Sequence, residues 1–233
     1  YFASVKAHGG LKGQNEWKQG FKQLTGVPFD NYMILDRLNK PIAKAYPKTN
    51  NKSFMYLYND LLLGLMDSMV TTGISEHYRK LSQQMSENYG GEYAYVFETL
   101  KALCDILAVK AELGIQLKQA YDKKDTGELR KVMLSIKLLP ELIDKFYNKL
   151  NSQWHRENKS FGFEVQSAKL GALKQRVIYV ADCIQNYLNK TISSIDELEE
   201  PRMPWGINNN GYLVHEDENC WHSWQDIITA GVF

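Results

Sequence analysis

Apolar residues return every three or four positions over most of this chain, and that period predicts helices. Ile74, Tyr78, Leu81 and Met85 form one stripe, ended by Gly90-Gly91. From Glu92 to Asp122 the pattern predicts one uninterrupted helix through Phe97, Leu100, Leu103, Cys104, Leu107, Ala111, Ile115 and Leu117, with Asp125-Thr126-Gly127 as the turn after it. The next stripe is Leu129, Val132, Ile136, Leu139, Ile143, Phe146 and Leu150. Pro140 falls inside it and predicts a kink rather than an end, because the apolar period continues beyond. A further helix is expected from about Glu164 to Lys190, with its stripe at Val165, Ala168, Ala172, Arg176, Val177, Val180, Ile184 and Tyr187. Short connections leave no room for crossovers, so these helices should pack antiparallel. The predicted fold is all-α, an antiparallel bundle of three to four long helices, the fourth supplied by residues 74–88. An irregular N-terminal segment and a docked C-terminal tail complete it.

The two ends read differently. Trp17, Phe21 and Leu24 lie at helical spacing before Gly26, which suits a C-terminal cap, and Pro28 opens another short helix. Residues 40–53 form a polar, two-proline loop. SFMYLYND (53–60) reads as extended, and Asp60 as the cap of a helix through LLLGLMDSMV. After Glu200 the periodicity stops. The tail carries Trp221, Trp224, Ile227 and Ile228, apolar enough to pack back on the body.

Composition narrows the function classes. Net charge is +1 from 28 basic and 27 acidic residues, so no chain-wide field draws nucleic acid or an anionic membrane. No apolar run reaches the roughly 20 residues a bilayer span needs. The chain opens at Tyr1 and reads as a piece of a longer protein. Cys104, Cys183 and Cys220 are odd in number without CxxC spacing. Cys104 and Cys183 sit on apolar helical faces, so buried free thiols are the simplest reading, which suits a reducing, cytoplasmic setting.

Candidate chemistry is sparse. His215, Glu216, Asp217, Glu218, Cys220 and His222 bear metal-ligand atoms, but in one dense run without a second ligand pair, so no metal site is assigned. Asp196-Glu197 most simply caps or solvates a helix end, as part of SIDELEE. No GxSxG, P-loop, GxGxxG or HExxH occurs, and no cofactor is implied. The segment WHRENKSFGFE (154–164) stands apart. Three aromatics among paired charges exceed what a solvated turn requires, since such rings are buried or stacked on something flat. Trp154, Arg156, Glu157, Asn158, Phe163 and Glu164 are therefore the binding or interface candidates. Two readings stand side by side. In one, the residues form a sugar-stacking or interface surface. In the other, Trp154 and Phe161 to Phe163 staple two helices, Arg156 pairs with Glu157, and Asn and Glu side chains satisfy exposed backbone groups.

Four segments carry a family resemblance: FKQLTGVPFDNYMILDRLN (21–39), SFMYLYNDLLLGLMD (53–67), WHRENKSFGFEVQSAKLGALKQRV (154–177) and WHSWQDIITAGVF (221–233). Together they make the chain resemble the C-terminal helical region of bacterial glycoside hydrolase family 20 β-N-acetylhexosaminidases. Ser160 departs from an expected Pro, and Ser167-Ala168-Lys169 from a more charged run. The resemblance implies that residues 1–50 leave a catalytic barrel and form a linker, and that residues 51–233 form the helical domain. It implies substrate-assisted cleavage by an Asp-Glu pair in the barrel. Neither Asp196-Glu197 nor Asp217-Glu218 has that context, so no catalytic residue is assigned here. The partners it implies are the barrel of the same polypeptide, a homodimer mate and the parent enzyme's glycan. The rival reading is a carbohydrate-binding module stacking sugars on Trp154, Trp205, Trp221 or Trp224.

Overall fold

The computed structural model describes residues 13–40, 52–87 and 90–202, and within these every regular element is helical. α1 (Gln14–Thr25) and α2 (Phe29–Tyr32) open it, α2 running into a 3-10 turn at Met33–Asn39. Gly26 closes α1 with its N–H on the Lys22 carbonyl, and Pro28 is the N-cap of α2, both as the spacing predicts.

α3 (Lys52–Tyr58) corrects the extended reading of 53–60. Met55, Tyr56, Leu57 and Tyr58 are all buried, so the run is apolar on every side and has no period that separates strand from helix. Asp60 does cap, its Oδ1 accepting from the Leu62 and Leu63 N–H groups at 2.9 and 3.0 Å. The chain after it makes turns and a short 3-10 helix at Asp67–Met69 instead of the expected continuous helix, because Gly64 sits at φ +60°.

α4 (Ile74–Ser86) buries its predicted stripe. α5 (Ala94–Lys110) and α6 (Leu113–Asp122) replace the single helix expected over 92–122. At the break, the Glu112 carboxylate accepts the Gly73 and Ser75 N–H groups at 2.9 and 3.0 Å. It thereby satisfies donors that the start of α4 leaves open.

α7 (Thr126–Glu157) begins where a turn was expected. Asp125 Oδ1 accepts from the Glu128 N–H at 3.0 Å, so Thr126 and Gly127 are already helical. The helix continues past Pro140. α8 (Phe163–Leu188) buries Phe163, Leu170, Leu173, Val177, Val180 and Ile184. The first half of its expected stripe is displaced, for Val165 and Ala168 are exposed.

On α7 the buried line Leu129, Val132, Ile136, Leu139, Ile143, Phe146 alternates steps of three and four, and α8 keeps the same rhythm from Leu170 onward. That is the seam of helices crossing at a shallow angle. The pair is antiparallel: Tyr147 Oη lies 3.0 Å from Ser167 Oγ, and Lys174 Nζ 2.7 Å from Asp144. α5 covers the other flank of α7, with Lys149 on Glu98 at 2.6 Å. α9 (Asp196–Glu199) folds back with Ile195 and Leu198 buried. The apolar tail lies outside the described residues, as does Cys220. Cys104 is a buried free thiol, pushed up to about 12 by burial, whereas free Cys183 is only half-buried.

Candidate functional site

Residues 154–164 form the connection between α7 and α8. α7 stops at Glu157, and Asn158 is extended with its N–H on the Trp154 carbonyl at 2.7 Å. Gly162, at φ +93°, then starts α8 in a conformation that side chains with a Cβ rarely adopt. The side chain that satisfies a backbone group here is Glu164, whose Oε2 accepts the Gly162 N–H at 2.8 Å, and not Glu157 or Asn158, from which that role was expected.

Trp154 is half-buried. Its indole N–H donates to the Lys159 carbonyl at 2.8 Å, and its ring lies 5.8 Å from that of Phe163. Phe163 is the anchor of the junction, buried among Tyr147, His155 and Trp154 at 5.3–5.8 Å between ring centroids.

The charges do not pair as expected. Arg156 lies over the Tyr95 ring at 4.1 Å and 3.8 Å from Glu92. Glu157 accepts from Gln153 at 3.3–3.4 Å and from the Tyr95 hydroxyl, which it pushes up to about 12. The physical reason is the period of the helix. Adjacent residues point about 100° apart, so Arg156 and Glu157 meet different neighbours. Asn158 is exposed, and Phe161 is 87% exposed at the tip.

The strongest concentration of buried polar chemistry lies elsewhere. Asp60, Asp67, Lys110, Arg176, Glu197 and Arg202 converge from the turn after α3, the end of α5, α8 and the segment around α9. Arg176 grips Asp60 through Nε at 2.7 Å and Nη2 at 3.2 Å, with Glu197 at 3.5 Å beyond. Burial would raise the Asp60 carboxyl, but Arg176 and the Leu62 and Leu63 N–H groups outweigh it and hold the carboxyl below its ordinary range.

Lys110 is 2% exposed and donates to the Tyr56 carbonyl at 3.2 Å and to the Asn59 carbonyl. Desolvation lowers its ammonium to about 8, against the opposing pull of Asp60 and Asp67. Asn59 ties the turn together, donating to Asp67 at 2.9 Å and accepting the Met66 N–H at 3.0 Å. Arg202 donates to the Leu61, Leu62 and Gly114 carbonyls, and its Nε lies 3.5 Å from Asp67. Among the described residues that Nε has no hydrogen-bond partner. Three cations face three carboxylates, so the cluster is neutral, as a buried charge group must nearly be.

A clue to this cluster is present in the sequence. Lys110 continues the line of Leu103 and Leu107, and Arg176 stands inside the apolar stripe of α8. A charge at a core-facing position needs a partner within the fold, and those partners come from distant segments that periodicity does not connect.

Trp205, Trp221, Trp224 and the 215–222 run of metal-ligand atoms lie outside the described residues. Asp196 is exposed, while Glu197 is engaged by Arg176. Among the described residues no helix is long and apolar enough to cross a membrane. Compared with known protein families, residues 30–215 match the model described as the glycoside hydrolase 20C C-terminal domain. No curated protein matches the chain.

Proposed function

We propose, from the premise that the chain belongs to the glycoside hydrolase 20C C-terminal domain family, that it is the non-catalytic helical portion of a β-N-acetylhexosaminidase. The parent enzyme would release terminal β-linked N-acetylhexosamine from glycans, with the chemistry in a preceding catalytic barrel. The family match over residues 30–215 carries this reading. Two features of the chain support the non-catalytic part. Asp196-Glu197, the candidate acidic pair that lies within the described residues, is divided between solvent and a structural ion pair with Arg176. The cluster around Asp60 is largely buried and internally neutralised, with Arg176 and Glu197 reaching the surface furthest, and those two are paired with each other.

The helical domain would then serve as a packing body for the barrel, or at a subunit interface. Trp154 fits that role better than a stacking platform, because its ring is already half-buried against Phe163 and Gly162. A chromogenic N-acetylglucosaminide tests the proposal. The full-length polypeptide should hydrolyse it and the 233-residue chain should not. An inactive full-length protein overturns the hexosaminidase reading, and an active 233-residue chain overturns the non-catalytic one.

A further inference from the structure

The family match begins at residue 30, yet the chain is already folded ahead of it. α1 (Gln14–Thr25) stands upstream of the matched domain and meets it through a ladder of rings. Trp17 packs edge-on against Phe29 at 4.5 Å. Phe21 meets Phe29 at 5.3 Å and Tyr32 at 5.2 Å, and Tyr32 meets Phe97 of α5 at 5.5 Å. Edge-to-face pairs at such separations have a preferred geometry, so they fix how α1 sits. Lys18 adds a fork onto Asp30, at 2.7 and 2.8 Å to its two oxygens. At the end of α1, Gly26 comes so close to the Gly91 turn that a Cβ on Gly26 would lie 3.1 Å from the Gly91 Cα.

One edge of α1 is left over. Leu24 follows Trp17 by seven residues and Phe21 by three, which places it on their face, yet it is 81% exposed. A lone exposed leucine is ordinary. This one extends an apolar face that is already partly in use, and Trp17 and Phe21 are themselves only half-buried. Among the described residues the ring ladder covers one flank of that face and leaves the other open.

We infer that α1 is the last helix of the domain preceding the matched one, and that Leu24 with the open flanks of Trp17 and Phe21 docks on that catalytic domain. The inference rests on the proposed function for the existence of that domain. Connectivity selects the occupant. Whatever precedes the matched domain enters through α1, so it is tethered beside this face at an effective concentration on the order of millimolar or above. A second copy of the chain has no such advantage. α1 is then a strut shared by two domains, held by rings on one side and by aliphatic packing on the other.

Thiol accessibility in the full-length polypeptide tests this without any activity readout. Leu24→Cys is compared with Gln19→Cys, an exposed position on the opposite face of α1, each corrected for the unsubstituted protein. With a small disulfide reagent, the thiol introduced at position 24 should react about tenfold more slowly than that at 19. The ratio should hold on dilution. Equal rates overturn the inference. So does protection that disappears on dilution, which would place a second copy on this face. A full-length protein that is inactive on the chromogenic glycoside but protects position 24 would overturn the hexosaminidase reading and leave the docking face standing.

Discussion

Asp60→Asn separates the charge of Asp60 from its capping role, because an amide oxygen can still accept the Leu62 and Leu63 N–H groups. What is lost is the counter-charge to Arg176, and the buried cluster moves from neutral to one net positive charge. Breaking a fully buried ion pair costs roughly 3–5 kcal/mol. Asp60 is 6% exposed at the side chain, but Arg176 is 31% exposed and keeps Glu197 at 3.5 Å. Solvent and the second acceptor therefore reduce the cost to about 2 kcal/mol. Asp60→Ala also removes the cap, adding about 1 kcal/mol.

Urea denaturation at pH 7 measures both, and a loss of about 2 kcal/mol corresponds to roughly 4–8 °C in Tm for a chain of this size. Adding Arg176→Met to Asp60→Asn restores neutrality and should recover about half of the loss. The acid limb gives an independent check. The carboxyl of Asp60 is held below its ordinary range in the folded state, so its contribution is present above the unfolded value of 3.8 and disappears as pH falls further. The gap between wild type and Asp60→Asn should thus close toward low pH. An Asn variant within about 0.5 kcal/mol of wild type at pH 7, the scatter of ordinary surface changes, would refute the reasoning.

Three further outcomes follow from other parts of the fold. Trp154→Ala removes a half-buried ring and the bond to the Lys159 carbonyl, and should cost about 2 kcal/mol, roughly half of a fully buried Trp truncation; a melting curve superimposable on wild type would make Trp154 a surface residue and favour the binding-module reading. Gly64→Ala places a Cβ into the Arg202 guanidinium and the Asp67 carboxylate at φ +60°, so thermal melting should show a loss of more than about 2 kcal/mol, and an unchanged Tm would remove Arg202 from the cluster. Lys110 is lowered to about 8 from an ordinary 10.5, so the unfolded chain binds the extra proton between those values and its charging cost is relieved as pH rises. The stability of wild type relative to Lys110→Met should accordingly climb from pH 8 to 10 in urea titrations, and a flat or falling difference would show that Lys110 is not desolvated.

The helices that periodicity located are those with one buried face and one wet face. α4 buries the residues its spacing selects, and α7 all of its own but the half-buried Leu150, because a single stripe satisfies both the helix and its neighbours. α8 shows where this reasoning weakens. Its first half offers two apolar lines, one through Val165 and Ala168 and one through Phe163 and Leu170. Only the second meets the three-four seam of α7, which a reading of one helix at a time does not contain. α3 marks the other limit, since a run buried on all sides has no polar phase to reveal its period. The break between α5 and α6 was invisible for a third reason. Glu112 leaves its own helical register to serve the start of α4, 37 residues away in sequence.

The candidate loop and the buried cluster differ in the same way. The aromatics of 154–164 lie within eleven residues, so composition alone singled them out. Their charges meet partners on α5, however, and only the packed bundle decides those pairings. The cluster around Asp60 draws its six ionised groups from positions 60 to 202. Each alone has an ordinary local explanation, such as a cap, a stripe irregularity or a helix end. Their neutrality is a property of the assembled fold, because no single segment holds both signs in the needed number. For a domain proposed to carry no chemistry of its own, this is where its ionisable residues would be expected. They sit where they fix the turn after α3 against α8 and the returning chain, away from the face of α1 proposed to meet the preceding domain.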